Sequence, residues 1–176
     1  SSIYGITKQH QEQLMLLTGK ILHIPTVALR FQNVYGPSQS LSNPYTGILS
    51  IFSTRILNRN DIDVYEDGKE SRDFIYIDDA VDATILALEK QEANHQIFNV
   101  GSGVPTSIFE VAHILKKLYN SNVRIKISGR YRLGDIRHNY ADLTKIKSVL
   151  GFKPKIDLVT GASRLVVWAK TQKVHI

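Results

Sequence analysis

The sequence predicts an α/β fold. Apolar residues at helical spacing alternate along the chain with short β-branched, apolar runs, and Gly, Pro, Asn or Asp turn signals close most of the runs. Thr26–Phe31 and Ile97–Val100 are apolar at nearly every position rather than at every second one, the pattern of strands buried on both faces of a parallel sheet.

Lys8 to about Leu22 reads as a helix, with Leu14, Leu17 and Ile21 as its apolar stripe and His23-Ile24-Pro25 as its stop. The strand Thr26–Phe31 runs into Gln32-Asn33-Val34-Tyr35-Gly36-Pro37 and a polar loop through Asn43-Pro44. Ile48 to about Asn58 reads as a helix, and Ile62–Tyr65 as a short strand before the turn Glu66-Asp67-Gly68. Arg72–Ile77 is the next strand, with Asp78 or Asp79 placed to cap a helix to about Lys90. Ile97–Val100 closes on Gly101-Ser102-Gly103, and Ser107 with Glu110 forms a capping box that opens a helix to about Tyr119. Val123–Ile127 alternates like a half-exposed strand, and Ser128 to Tyr140 is a long Arg-rich loop. Asp142 is placed to cap a short helix ended by Gly151, and Asp157 a last one through Trp168.

Composition narrows the function. With 176 residues, 43% hydrophobic and 22% charged, the chain suits one soluble domain or part of a larger one. It has no Cys, which excludes disulfides, zinc-thiolate sites and thiol nucleophiles and fits a cytoplasmic protein. The 6 His show no metal-ligand spacing, so no metal is expected. No apolar run approaches the ~18 residues of a membrane span. The formal charge of +6 and pI near 9.5 point to an anionic partner. Because the Lys and Arg residues are scattered, a phosphorylated small molecule is expected rather than nucleic acid.

Tyr4 and Lys8 stand four apart, one helical turn, where an ammonium favours the ionised form of a phenol. A phenol so tuned can take a proton from a sugar or alcohol hydroxyl. The spacing alone is of the order that chance supplies, and Tyr65…Lys69 repeats it across a turn. Its meaning comes from four further segments that follow in order: Leu29-Arg30-Phe31-Gln32-Asn33-Val34-Tyr35-Gly36-Pro37, Ser71-Arg72-Asp73-Phe74-Ile75-Tyr76-Ile77-Asp78-Asp79, Phe98-Asn99-Val100-Gly101-Ser102-Gly103 and Gly134-Asp135-Ile136-Arg137-His138. With Tyr4-Gly5-Ile6-Thr7-Lys8, these closely resemble the carboxyl-terminal half of extended short-chain dehydrogenase/reductases that act on nucleotide sugars.

The resemblance implies a partial Rossmann-type parallel sheet joined to a small substrate-binding α/β domain. Residues 1–35, with 73–100 returning, would belong to the dinucleotide-binding domain, and 36–72 with 101–176 to the substrate domain. Tyr4 would be the catalytic base and Lys8 the residue that binds the nicotinamide ribose of NAD, with the backbone of Phe31 at the nicotinamide amide. Asn33, Arg72 and Arg132 would hold the substrate's diphosphate, a role suited to guanidinium forks. Asp135 would accept from the ribose, Tyr65 would pack on the uracil ring, and Asn139 would limit the group on carbon 2 of the sugar. The first helix could form a dimer face.

Within the family, the segments around Asn33 and Gly134 look most like UDP-sugar 4-epimerases, which pass through a 4-keto intermediate. A nucleotide-sugar 4,6-dehydratase and a non-catalytic nucleotide-sugar-binding module are the alternatives. The family's glycine-rich dinucleotide turn has no counterpart here: Gly101-Ser102-Gly103 carries Thr106 at the third glycine position. The expectation is therefore of a fragment that is inactive by itself.

Overall fold

The computed structural model describes residues 2–43, 47–131 and 134–172. Helix α1, Ile3–Ile21, starts five residues earlier than its apolar stripe suggests, because Ser2 accepts the Gly5 N–H at 3.0 Å and caps it. Tyr4 and Lys8 therefore share one helix. Strand β1, Val27–Phe31, follows and pairs in parallel with β5, Gln96–Val100, with Val27 opposite Gln96 and Phe31 opposite Val100. Past a single linking residue, β2, Asn33–Tyr35, pairs in parallel with the end of β4, Ser71–Tyr76. The start of β4 is flanked by β6, Pro105–Ser107, antiparallel, and by β8, His138–Asn139, parallel. A separate parallel pair joins β3, Ile62–Val64, to β7, Ile125–Ile127. Helices α2, Ile48–Leu57, α3, Ile77–Glu89, α4, Ile108–Leu118, α5, Thr144–Leu150, and α6, Leu158–Ala169, cover these strands.

Two hydrophobic cores result, and β4 walls both. Successive strand residues point to opposite faces, so Phe74 and Tyr76 enter a core with Phe52, Leu115 and Leu165, while Ile75 enters one with Phe98, Ile146 and Phe152. The second core also takes in Ala141, Leu143 and Leu150, so residues 141–152 pack around β5 and α3 rather than with the rest of 101–176.

Ser107 and Asp157 cap α4 and α6 as expected, accepting from the N–H of Glu110 and Thr160 at 3.1 and 2.9 Å. Asp78 and Asp79 do not cap α3, whose first turn follows Tyr76 directly. Asp79 is instead buried and accepts the N–H groups of Lys155 and Ile156 at 3.0 Å, because a buried carboxylate needs donors and the chain before α6 supplies them. Asp142 is likewise no N-cap; it accepts the Thr144 N–H at 2.8 Å, and Leu143 takes the cap position. Gly151, at φ 67°, ends α5 in the left-handed region. No described helix is long and apolar enough to cross a membrane.

Candidate functional site

Two hollows open on either side of Gln32, the link between β1 and β2. The first is a cleft of about 340 Å³ that brings Asn33, Tyr65, Arg72 and Asp135 together from four separate segments. Asn33 enters it from the first residue of β2, and its Nδ2 donates to the Asp73 carbonyl at 3.0 Å, tying β2 to β4. Arg72 is held from three directions: it donates to the carbonyls of Ser71 and Arg137 at 2.9 and 3.1 Å and to Asp135 Oδ1 at 2.8 Å. A guanidinium fixed in this way loses little freedom when it meets a phosphate. Tyr65 follows β3, and the Arg130 guanidinium lies 5.1 Å from its ring centroid. Asn139 is exposed, but β8 places it directly opposite Arg72 in the strand register. Arg132 lies outside the described residues.

Arg124, Lys126, Arg130 and Arg137 are matched to acids across the cleft's rim. Arg124 and Lys126 meet Asp61 at 3.0 and 2.8 Å, Arg130 pairs with Asp63, and Arg137 meets Glu66 and Asp67 at 3.0 and 2.6 Å. Lys126, then Arg124, holds the Asp61 carboxyl well below the usual range, and Arg137 lowers that of Asp67. In each pair the basic partner is exposed, so each contributes little alone. Together they lace residues 124–137 to 61–67.

The second hollow is an open groove of about 790 Å³ between α1 and β1, lined by Tyr4, Lys8 and Phe31. Lys8 Nζ lies 5.6 Å from the Tyr4 ring centroid and donates to Gln11 Oε1 at 3.2 Å. Tyr4 is 72% exposed and Phe31 45%. Helix α1 is seated at two points, on Thr26 just before β1 and on Arg30 within it. A Cβ on Gly19 would stand 2.3 Å from Thr26 Oγ1, so only glycine allows this approach. Arg30 also grips Glu12 through two 2.7 Å bonds that pull the carboxyl below its ordinary pKa. Phe31 faces the groove and Asn33 the cleft, so two residues of chain join the hollows.

Sequence reasoning missed two buried acids here. Asp73 is fully buried, and its carboxylate accepts from Ser102 N and Oγ, Gly103 N and Ala141 N at 2.7, 2.6, 2.9 and 3.1 Å. A Cβ on Gly101 would come within 2.3 Å of Asp73 Oδ2, so the Gly101-Ser102-Gly103 turn is shaped to wrap this carboxylate. The signal was an acid directly before the apolar run Phe74-Ile75-Tyr76, where a carboxylate that becomes buried must find partners. Glu70, 6% exposed, walls the cleft, and its Oε1 has no hydrogen-bond partner among the described residues. Burial, and next to it Glu66, raises its pKa. Nothing in the local pattern marked it. Among the described residues no group of three or more His, Cys, Asp or Glu is arranged to hold a metal ion.

Comparison with known proteins gives the family and the fold. The profile of the NAD dependent epimerase/dehydratase family matches residues 1–101, more than half of the 176. The chain belongs to that family. A family relative, the dTDP-L-rhamnose 4-epimerase of Burkholderia thailandensis, is 39% identical over 168 residues, covering 96% of this chain and 46% of the relative. The UDP-N-acetyl-alpha-D-glucosaminuronate decarboxylase of Bacillus cytotoxicus is 34% identical, over 94% of this chain and 52% of its own length. Among solved structures, the UDP-glucose 4-epimerase of Thermotoga maritima with UDP-glucose superposes with a TM-score of 0.89 at 32% identity, over 95% of this chain and 53% of that one. The chain thus spans about half the length of these family members, and its α/β fold is that of Rossmann-type epimerases.

Proposed function

We propose that this chain is the substrate-side half of an NAD-dependent nucleotide-sugar 4-epimerase acting on a UDP-hexose or a close relative. The observation that carries the reading is the convergence of Asn33, Tyr65, Arg72 and Asp135 in one cleft, two residues along the chain from the groove of Tyr4 and Lys8. Arg72 and Asn33 would hold the diphosphate, with Arg132 as the second guanidinium. Asp135 would take the ribose, Tyr65 the base, and Asn139 would bound the sugar's carbon 2 substituent. The parent protein would be cytoplasmic and would pair through α1.

The donor set of the groove fits the nicotinamide-ribose end of NAD. The Lys8 ammonium and the Tyr4 hydroxyl line it together with Phe31, one turn of helix apart. Bound NAD supplies hydride exchange with carbon 4 of the sugar. Tyr4 would take the proton of the 4-hydroxyl, Lys8 would hold a ribose hydroxyl, and the returning proton would come from the same phenol once the 4-keto sugar has turned over. Held geometry carries most of the rate.

Calorimetry of UDP into the 176-residue chain tests the binding half of this reading. One site is expected, weakened tenfold or more by Arg72→Ala, as loss of a charged hydrogen-bond donor implies. An unchanged affinity in that variant overturns the reading. In the complete protein, Tyr4→Phe is expected to lower turnover by about 10²–10⁴-fold. Similarity to the decarboxylase supports a second reading, in which oxidation at carbon 4 is followed by loss of a neighbouring group. Analysis of the sugar product decides between them.

A further inference from the structure

Strand β8 has only two residues, too few to fix its own place beside β4 firmly, yet Arg72 depends on it. The Arg137 carbonyl, directly before β8, accepts both the Ser71 N–H at 3.0 Å and Arg72 Nη1 at 3.1 Å. Next to that carbonyl, Ser71 Oγ and His138 Nδ1 stand 2.9 Å apart, a bond that closes whichever partner donates. We propose that Ser71 and His138 form a clasp that aims the Arg72 guanidinium at the substrate's diphosphate. His138 is a positioning residue, acting through Ser71 and the Arg137 carbonyl rather than on the ligand. The assignment rests on the nucleotide-sugar reading above and adds what orients its guanidinium.

The acceptors of Arg72 show why the clasp matters. Nη1 is shared between two carbonyls, Ser71 on β4 at 2.9 Å and Arg137 beside β8 at 3.1 Å. The plane of the guanidinium therefore follows the spacing of the two strands, and a planar fork meets phosphate oxygens well only at the right tilt. The parallel register sets His138 opposite Ser71 and Asn139 opposite Arg72, so the clasp sits one residue from the guanidinium it serves. Arg137 is anchored away from the strand, its own guanidinium on Glu66 and Asp67 at 3.0 and 2.6 Å. Those exposed ion pairs are screened by salt. The bond between hydroxyl and imidazole holds by contact, and it fixes β8 on the side where the Arg137 carbonyl meets Arg72.

The test is calorimetry of UDP, and of uridine by displacement, on the 176-residue chain and its variants. His138→Phe and Ser71→Ala each open the clasp. Both are expected to weaken UDP roughly threefold to tenfold, the scale of one hydrogen bond, and to leave uridine unchanged, since a nucleoside carries no phosphate. The two substitutions together are expected to cost no more than either alone. In an Arg72→Ala background, His138→Phe is expected to cost nothing further, the coupling of residues that act through one another. His138→Asn, whose side-chain amide offers a donor and an acceptor near the place of Nδ1, is expected to restore UDP affinity.

Equal loss of UDP and uridine affinity in His138→Phe overturns the assignment, because the clasp then only supports the fold. So does an undiminished effect of His138→Phe in the Arg72→Ala background. Ser71→Ala, the smaller change, decides by the same two criteria where His138→Phe fails to fold. Weakened UDP binding in Arg72→Ala, with none in either clasp variant, overturns the clasp and leaves the nucleotide-sugar reading standing. Absence of UDP binding, or an Arg72→Ala variant that binds UDP unchanged, overturns that reading, and the assignment falls with it.

Discussion

Arg72 and Asp73 are neighbours on β4 and divide two tasks. Their side chains leave the strand on opposite faces, so Arg72 opens into the cleft and Asp73 turns inward to the amides of residues 102, 103 and 141. Asp73→Ala leaves three buried or part-buried N–H groups without this acceptor and is expected to lower unfolding free energy by about 3 kcal/mol in urea. Arg72→Ala, whose ion pair with Asp135 is partly exposed, is expected to stay within about 1 kcal/mol while losing UDP affinity. Arg72 was legible because a motif placed it beside Asp73 and Phe74. The task of Asp73 was not legible, because one strand's sequence does not show which distant amides close on it. Glu70 was illegible for a similar reason: its burial is a property of the fold around it.

Among the described helices, α1 is the least embedded, with Gly19 as its one buried residue. Its contact with β1 depends on Gly19 and on the Arg30–Glu12 pair, while Leu14, Leu17 and Ile21 are 64%, 59% and 65% exposed. Gly19→Val forces a side chain into Thr26 and is expected to cost about 1–3 kcal/mol in the seating of α1, read as faster amide exchange confined to residues 3–21. The lacing between 61–67 and 124–137 has its own signature in acid. Asp61 and Asp67 have folded pKa values below their ordinary ones, so the stability they add is present above the usual carboxylate range and is lost as pH falls through the lowered values. Thermal unfolding is expected to shift downward below about pH 4, and salt is expected to weaken the same contacts. Helix caps at Ser107 and Asp157 were legible because each stands just before an apolar period. Strands β2, β6 and β8 were not, being too short for any period to emerge, and their register is set by β4.

For the whole molecule, the α/β class was legible from alternating signals, but the division of packing was not. Residues 141–152 follow the Arg-rich stretch in sequence yet pack on Phe98 and Val100, a long-range choice that local patterning cannot encode. The exposed stripe of α1 is expected to drive self-association, seen as a concentration-dependent mass in sedimentation, and Leu17→Glu is expected to lower it.

A strand that serves as the common wall of two cores has a mechanical meaning. Phe74 and Tyr76 cannot leave one core without Ile75 leaving the other, so a loosening that begins beneath the cleft is transmitted within one residue to the layer that carries β1 and, through it, the seat of Tyr4 and Lys8. A ligand that steadies β4 from the cleft side is expected to slow amide exchange in β1 as well, since the two cores share that strand.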